Sequence, residues 1–321
     1  EDPRVVETAR RGWAYLKISE GCSNHCAYCA IPQIRGGLAS RPADDIVAEA
    51  RFLESLGVQE IVLIAQDVTA WGDDLPGKHG LPFLLERLLA GTSVPWVRLL
   101  YTHPARLDRE LLRAVAAEDR LLGYLDIPVQ HASDRVLELM NRGVTRERID
   151  RAIAEARELI GAPVLRTTVM VGFPGERRRD FDVLLDFIER TRFDRLGAFA
   201  YSKEPGTPAG ARRDSVPDKE KQLRLERVLE LQRDISAELN ASRVGSTVPV
   251  LIERAVDADE SPGRQYRWAG RGRSHAPDVD GWVYVTDPPR SGGVLQPGTI
   301  VPVNITDSGD YDLFGSPAAA G

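Results

Sequence analysis

From Trp13 to Tyr201, short apolar runs alternate with helix-patterned stretches, and few folds accommodate that alternation. The runs Trp13–Ser19, Val58–Ala65, Trp96–Tyr101, Tyr124–Val129, Val164–Val171 and Arg195–Tyr201 have the length and composition of buried strands. Helical patterns lie between them, at Pro42–Gly57, Pro82–Ala90, Arg109–Ala117, Ser133–Ile160 and Asp180–Arg190. In the first, Ile46, Ala50, Leu53 and Leu56 form one apolar face, and Asp44 and Asp45 suit the positive N-terminal end. Repeated βα units predict the α/β class, a parallel sheet with helices outside. Six units within residues 13–216 fall short of the roughly 250 residues of a closed eightfold barrel. The expectation is an open, partial (β/α)6 barrel, with its functional site beyond the C-terminal ends of the strands.

The flanks read differently. Residues 1–12 are polar and unpatterned, as in a linker or tail. Residues 217–242 predict one long connecting helix, with Leu225, Val228, Gln232, Ile235 and Leu239 on one stripe. Residues 243–321 predict a small all-β barrel or sandwich, with strands at Val248–Ile252, Gly281–Val285 and Ile300–Ile305. The tail from Ser308 is expected to be loosely held, with Tyr311, Leu313 and Phe314 as anchors. The formal net charge of −6 argues against a mainly electrostatic nucleic-acid binder. Residues 243–305 carry seven arginines and seven acidic residues, so the small domain is balanced rather than basic. Arg264, Arg267, Arg271 and Arg273 form either a local basic patch or a solvated loop around Gly270 and Gly272. No stretch is long and apolar enough to span a membrane, and no membrane partner is expected.

All three cysteines fall in Gly21-Cys22-Ser23-Asn24-His25-Cys26-Ala27-Tyr28-Cys29, directly after the first strand, spaced C-x3-C-x2-C. Thiolates are strong ligands for iron and zinc. A cubane 4Fe-4S cluster takes four cysteines, so three leave one iron open to a small molecule. A structural zinc site joins two ligand pairs and closes at four. Here a second pair is missing, and His25 could serve only by bending back within the loop. An odd count fits disulfides poorly, and clustered thiols with no signal peptide suit a reducing cytoplasm.

This spacing, with Tyr28 before the last cysteine, resembles the radical S-adenosylmethionine (SAM) family. The resemblance implies a 4Fe-4S cluster on Cys22, Cys26 and Cys29, with SAM chelating the fourth iron. It also implies an electron donor, reductive cleavage of SAM and a 5′-deoxyadenosyl radical. The protein's part is then positioning and exclusion of water.

Polar residues gather where the strands end: Gln66 and Asp67, then Tyr101, Thr102 and His103, then Gln130 and His131. Such a rim suits a polar ligand, although Gln66 and Asp67 could equally cap a helix and His103 could sit in an ordinary turn. Gly172 and Gly175, around a proline, allow close backbone approach to a ligand or simply make a turn. Glu176 could favour a helix N-terminus. Arg166, inside an apolar strand, requires a partner; the expectation is SAM or an acidic group, with Lys17 similar on the first strand. Given the resemblance, Tyr28, Gln66, Gln130, Arg166, Gly172, Gly175 and Glu176 are the candidate SAM contacts.

Further stretches resemble the methylthiotransferase branch of the family: Ile31–Gly36, Ser40–Pro42, Tyr124–His131, Met140–Gly143, Val171–Glu176 and Tyr201–Pro208. The terminal β domain resembles a TRAM domain. Ala65–Thr69, Tyr101–Pro104 and Ile31–Ile34 are most similar to the subgroup that modifies a ribosomal protein. The resemblance implies methylthiolation of an aspartate β-carbon in small-subunit ribosomal protein twelve. A tRNA substrate is the alternative. That branch carries a second 4Fe-4S cluster on three cysteines ahead of the barrel, and this sequence has none to spare. The expectation is therefore a chain that corresponds to the barrel and terminal domain of a larger enzyme.

Overall fold

The computed structural model describes residues 8–257, 259–288 and 294–318. The expectation of a linker or tail over 1–12 falls partly on residues 1–7, outside the described residues. Six parallel strands form one sheet in sequence order: β1 (Trp13–Lys17), β2 (Glu60–Ile64), β3 (Trp96–Leu99), β4 (Leu121–Asp126), β5 (Val164–Val171) and β6 (Arg195–Ala200). The helices are α1 (Ile31–Arg35), α2 (Ala43–Ser55), α3 (Leu81–Gly91), α4 (Arg109–Ala117), α5 (Asp134–Leu139), α6 (Arg146–Ile160), α7 (Arg178–Thr191) and α8 (Asp218–Ala241). Local signals start several of them. The Asp108 carboxylate accepts from Leu111 N at 2.9 Å to begin α4, and the Thr145 hydroxyl accepts from Arg148 N at 3.3 Å to begin α6. The long stretch Ser133–Ile160 is two helices rather than one. Asn141 and Gly143 adopt positive φ, +49° and +67°, which ends α5 before Thr145 starts α6.

Alternation along the strands separates two faces. Ala14, Leu16, Ile61, Leu63, Val97, Leu99, Leu125, Leu165 and Val169 pack against the helices in the main core. Trp13, Val62, Trp96, Leu122 and Tyr124 point the other way, and Leu251 and Ala276 of the terminal domain pack onto them. That domain is a closed five-stranded barrel, in the order β8 (Tyr266–Gly272), β9 (Val283–Thr286), β11 (Leu313–Pro317), β10 (Thr299–Ser308), β7 (Thr247–Ala255). Two sequence expectations change here. The segment expected as a loosely held tail is strand β11, pairing with both β9 and β10. The segment around Gly270 and Gly272 is strand β8 rather than a solvated loop, and Arg271 within it is buried. Among the described residues, no helix is long and apolar enough to cross a membrane.

A buried ion network joins sheet and barrel. Arg98 Nε donates to Glu60 Oε1 at 2.6 Å, and Arg271 lies 2.7 Å from Glu60 Oε2. Arg271 also pairs with Glu253, which accepts from Trp13 Nε1 at 2.9 Å. Burial alone would raise the pKa of Glu60, but Arg271 and Arg98 hold it below the usual carboxylate range.

Two wholly buried histidines give the fold a pH dependence. Burial lowers the pKa of His131 to about 3 and that of His275 well below its ordinary value. Their folded pKa values lie below the unfolded value, so acidification adds protons to the unfolded chain first. Stability should hold above roughly pH 6.5 and fall as pH drops towards 3, by ~1.4 kcal/mol per pH unit for each histidine that stays neutral. Urea midpoints at pH 7.5, 6 and 5 check this; a profile flat across that range would refute it.

Candidate functional site

The cysteine loop leaves β1 at the C-terminal edge of the sheet. It carries little regular structure and is pinned by backbone hydrogen bonds from several sides. Cys22 N donates to Gly36 O (3.2 Å), Ala27 N to Met140 O (2.7 Å), Cys29 N to Cys26 O (3.1 Å) and Ala209 N to Ala27 O (2.7 Å). Gly21 makes the turn into the loop at φ +67°, and a Cβ there would sit 2.1 Å from Gly37 O, so only glycine fits. Asn24 is held from below, its amide donating to Asp67 Oδ2 at 2.8 Å. Arg106 donates to both, at 3.0 Å each. Asp67 also caps the turn Val68–Ala70 by accepting from Thr69 N at 3.1 Å, so the capping reading and the site reading both apply to it.

A cavity of about 330 Å3 opens over the loop. Cys22, Cys26, Tyr28 and Cys29 form one wall, and Gln66, Asp67, Tyr101, His103, Gln130 and Arg142 contribute from the strand ends. Burial pushes the Cys22 and Cys29 thiols up, and burial, with Cys26 beside it, likewise raises the Tyr28 phenol against the opposing charge of Arg142. His103 is driven down to about 3 by burial and by Arg142, so the cavity wall holds a neutral imidazole. Tyr101 (φ +64°) and Gln130 (φ +69°) are both in left-handed backbone, uncommon for residues other than glycine and concentrated at functional sites. The strain at Gln130 is held by main-chain bonds on both sides: its N donates to Thr168 O at 2.9 Å and its O accepts from Met170 N at 2.8 Å.

Two observations bear on what the cavity could hold. The side-chain oxygens of Gln66 and Gln130 are buried without a partner, and both residues line it. Each is a ready acceptor for an amino or hydroxyl group. Among the described residues, no three His, Cys, Asp or Glu side chains converge on a point for one ion. Cysteines that each hold a separate corner of a cubane stand further apart than the ligands of a single zinc. The residues present therefore fit a three-cysteine iron–sulfur cluster with a polar ligand beside it.

The structure brings Cys22, Cys26, Cys29, Tyr28, Gln66 and Gln130 to this cavity and engages the other candidates elsewhere. Arg166 found the acidic alternative: its guanidinium lies 2.8 Å from Asp126 and 3.9 Å from Asp280 of the terminal barrel. Gly172 and Glu176 buttress α8, while Gly175 lies against Leu139 of α5 and its N donates to Ser215 Oγ at 2.9 Å. The Glu176 carboxylate pairs with Arg224 at 2.7 Å and accepts from Phe173 N at 3.1 Å. A Cβ on Gly172 would meet the Lys221 side chain at 2.3 Å, so its close approach is to the helix. Lys17 is half-exposed and pairs with Glu20. Arg142, Asn24 and Arg106 have no role that the sequence alone assigns; for Arg142 the available signal is a basic residue within the stretch Met140–Gly143.

The fold is an open parallel sheet with a three-cysteine loop and a polar-lined cavity at its C-terminal edge. Comparison with known proteins gives its class. The model of the radical SAM superfamily matches residues 16–188, and that of the TRAM domain matches residues 244–317. The ribosomal protein uS12 methylthiotransferase RimO of Desulforudis audaxviator (strain MP104C) is 48% identical over 94% of this chain and 64% of its own length. The RimO of Anaeromyxobacter sp. (strain K) is 45% identical over 94% of this chain and 62% of its own length. That of Geotalea uraniireducens (strain Rf4) is 46% identical over 98% of this chain and 68% of its own length. The chain belongs to the radical SAM superfamily, within the family of these RimO relatives. It spans less than two thirds of the length of the first two. Among solved structures, coproporphyrinogen III oxidase HemN from Escherichia coli aligns with TM-score 0.54 at 18% identity, over 73% of this chain and 55% of its own. The methyltransferase TsrM from Kitasatospora setae aligns with TM-score 0.53 at 20% identity, over 64% and 40%. Both likenesses concern the fold alone.

Proposed function

We propose that this chain is the cluster- and SAM-holding part of a methylthiotransferase that adds a methylthio group to the β-carbon of an aspartate in ribosomal protein uS12. The observation that carries the reading is the meeting of three cysteines with two unpartnered buried glutamine oxygens in one cavity at the sheet edge. Cys22, Cys26 and Cys29 would hold three irons of a 4Fe-4S cluster. Together, cluster and SAM supply one-electron cleavage of a sulfonium and hence hydrogen-atom abstraction from an unreactive carbon. Gln66 and Gln130 accept hydrogen bonds from the ligand's amino or hydroxyl groups, and Tyr28 gives it an aromatic wall. Asp67 and Arg106 hold Asn24, and with it the loop, in place.

Charge supports a protein substrate over tRNA. Of the four arginines that could have formed a basic patch, Arg271 is buried in the Glu60–Glu253 network and Arg273 donates to Asp119 O across the domain junction. Arg264, Arg267 and Arg273 remain exposed, but with seven acidic residues against seven arginines over 243–305 the domain stays balanced rather than presenting the net positive face a tRNA would need. With its three cysteines committed to one loop, the chain has none for a second cluster, so it binds and cleaves SAM without supplying sulfur.

Anaerobic reconstitution with iron and sulfide tests this. About four irons per chain are expected, with a paramagnetic resonance spectrum of the reduced protein that shifts on adding SAM. Methionine and 5′-deoxyadenosine should accumulate under reductant while added uS12 keeps its mass. Zinc without iron would overturn the cluster, and methylthiolated uS12 made by this chain alone would overturn the assignment of sulfur to another part.

A further inference from the structure

Helix α7 opens on three arginines in succession, Arg177 at its cap and Arg178 and Arg179 in its first turn. The positive end of a helix disfavours cations. Helices α2, α4, α6 and α8 carry acidic residues there, and Arg109 and Arg146, at the starts of α4 and α6, are held by carboxylates. Arg177, Arg178 and Arg179 are exposed, and among the described residues none of them makes an ion pair. A second exposed pair, Arg212 and Arg213, comes alongside. Ser215 Oγ accepts from Gly175 N at 2.9 Å, which ties the 211–215 segment to the turn before α7. Arg212 and Arg213 make no ion pair either. Of the acidic groups in 175–182 and 211–216, Glu176 is taken by Arg224, Asp180 by Arg135 and Asp214 by Lys221. That leaves Asp182 against five exposed arginines.

The patch lies on the rim that carries the cavity. Gly175 follows the C-terminal end of β5, and Arg212 N donates to Ala209 O, while Ala209 N donates to Ala27 O in the cysteine loop. Three cations set against a helix dipole are a local conflict, and such conflicts mark places shaped by function rather than stability. The chain as a whole has a net charge of −6, so general basicity does not account for them. Two segments contribute, which suits an extended polyanion better than a single small ion. All five groups are guanidinium, whose planar fork matches the oxygens of a phosphate. The one aromatic residue in either segment is Phe181, which is buried and so offers no face for stacking on unpaired bases. Recognition therefore runs through a phosphate backbone and reads no sequence.

We propose that Arg177, Arg178, Arg179, Arg212 and Arg213 form a docking surface for the phosphate backbone of double-stranded RNA, which holds a ribosomal particle beside the cavity that receives its protein. This rests on the reading of a ribosomal protein as substrate, since such a protein is presented among RNA helices. The surface belongs to the partial barrel and leaves the terminal domain balanced. Fluorescence anisotropy of a labelled RNA duplex of about 16 base pairs tests it. The proteins compared are the 321-residue chain, the double variants Arg178→Gln/Arg179→Gln and Arg212→Gln/Arg213→Gln, and Arg264→Gln/Arg267→Gln on the terminal barrel as a control. In about 0.1 M salt each patch variant should bind roughly tenfold more weakly, and the slope of log affinity against log salt should flatten by about one for each arginine removed. The control should match the parent. Taking cations from the start of α7 should leave the urea midpoint of the first variant unchanged or raised. Patch variants that bind like the parent, a control that loses as much, or a parent that binds no duplex would each overturn the proposal. A midpoint that falls along with the affinity would overturn it and make the arginines structural. Tighter binding of polyglutamate than of the duplex would overturn it in favour of an acidic protein. A strong preference for tRNA over the duplex would overturn its indifference to sequence. None of these measurements uses the cluster, so failure of the enzymatic reading shows separately, as zinc in place of iron after reconstitution.

Discussion

Truncation of Arg271 to alanine should destabilise the protein by about 3–5 kcal/mol, the cost of leaving buried carboxylates without their cation. Arg271 is 1% exposed and lies between Glu60 of the sheet and Glu253 of the barrel. Its ring contact with Trp13, 5.5 Å to the centroid, and its donation to His275 O at 2.9 Å would be lost as well. After truncation, Glu60 keeps Arg98, but Glu253 keeps only the Trp13 indole. The surplus negative charge then sits in a seam that also buries Trp96, Leu122 and Leu251. Guanidinium titration of the two proteins checks the prediction. The midpoint should drop, and a single transition should split in two, because the network is what couples barrel to sheet. A variant in which Glu60, Glu253 and Arg271 are replaced together by apolar residues of similar size should recover much of the loss. A single Arg271→Ala change that left the midpoint in place would show that the seam is held by its apolar contacts alone.

The same residue shows where the sequence stops being legible. The sheet could be read because each strand is a compact apolar run and each helix repeats every three to four residues. The runs Val164–Val171 and Arg109–Ala117 coincide with β5 and α4. Strand β4 begins three residues before the run Tyr124–Val129, because Leu121-Leu122-Gly123 reads as the end of a turn rather than a strand. Strand β8, with the sequence Tyr-Arg-Trp-Ala-Gly-Arg-Gly, shows no alternation. What makes it a strand is pairing with β7 and β9 and the burial of Arg271 against carboxylates 18 and over 200 residues away. Such long-range pairing leaves no local signal. The cysteines were legible because their chemistry is local, held within eight positions. Arg166 was legible as a residue needing a partner, but the identity of that partner was not. The Gly172–Glu176 loop was legible as a place of close approach. Only the structure shows that what approaches is helix α8.

Serine in place of Cys22, Cys26 or Cys29 should each reduce the iron bound after reconstitution from about four per chain to well below one. A serine hydroxyl stays protonated where a thiol would ionise, and an oxygen is a poor match for iron in a sulfide cluster. With one corner unheld, two cysteines remain, and His103 and Asp67 are already committed to Ala105 N and to Asn24 and Arg106. Folding should be spared. The loop is fixed by its main chain, through Cys22 N to Gly36 O and Ala27 N to Met140 O, and none of those bonds uses a sulfur. Far-ultraviolet circular dichroism and the urea midpoint of the metal-free protein should therefore match the parent. His25→Ala provides the opposing control. Its ring is exposed and its tie to the fold is the carbonyl that accepts from Asn141, which alanine retains. A structural zinc needs four protein ligands and would draw on His25, so metal content would fall in that variant. A cluster held by three thiolates leaves the histidine idle, and iron should stay at the parent level. Iron lost from all three serine variants and kept by His25→Ala is the pattern the geometry demands. Metal lost equally from all four would return the loop to a structural role.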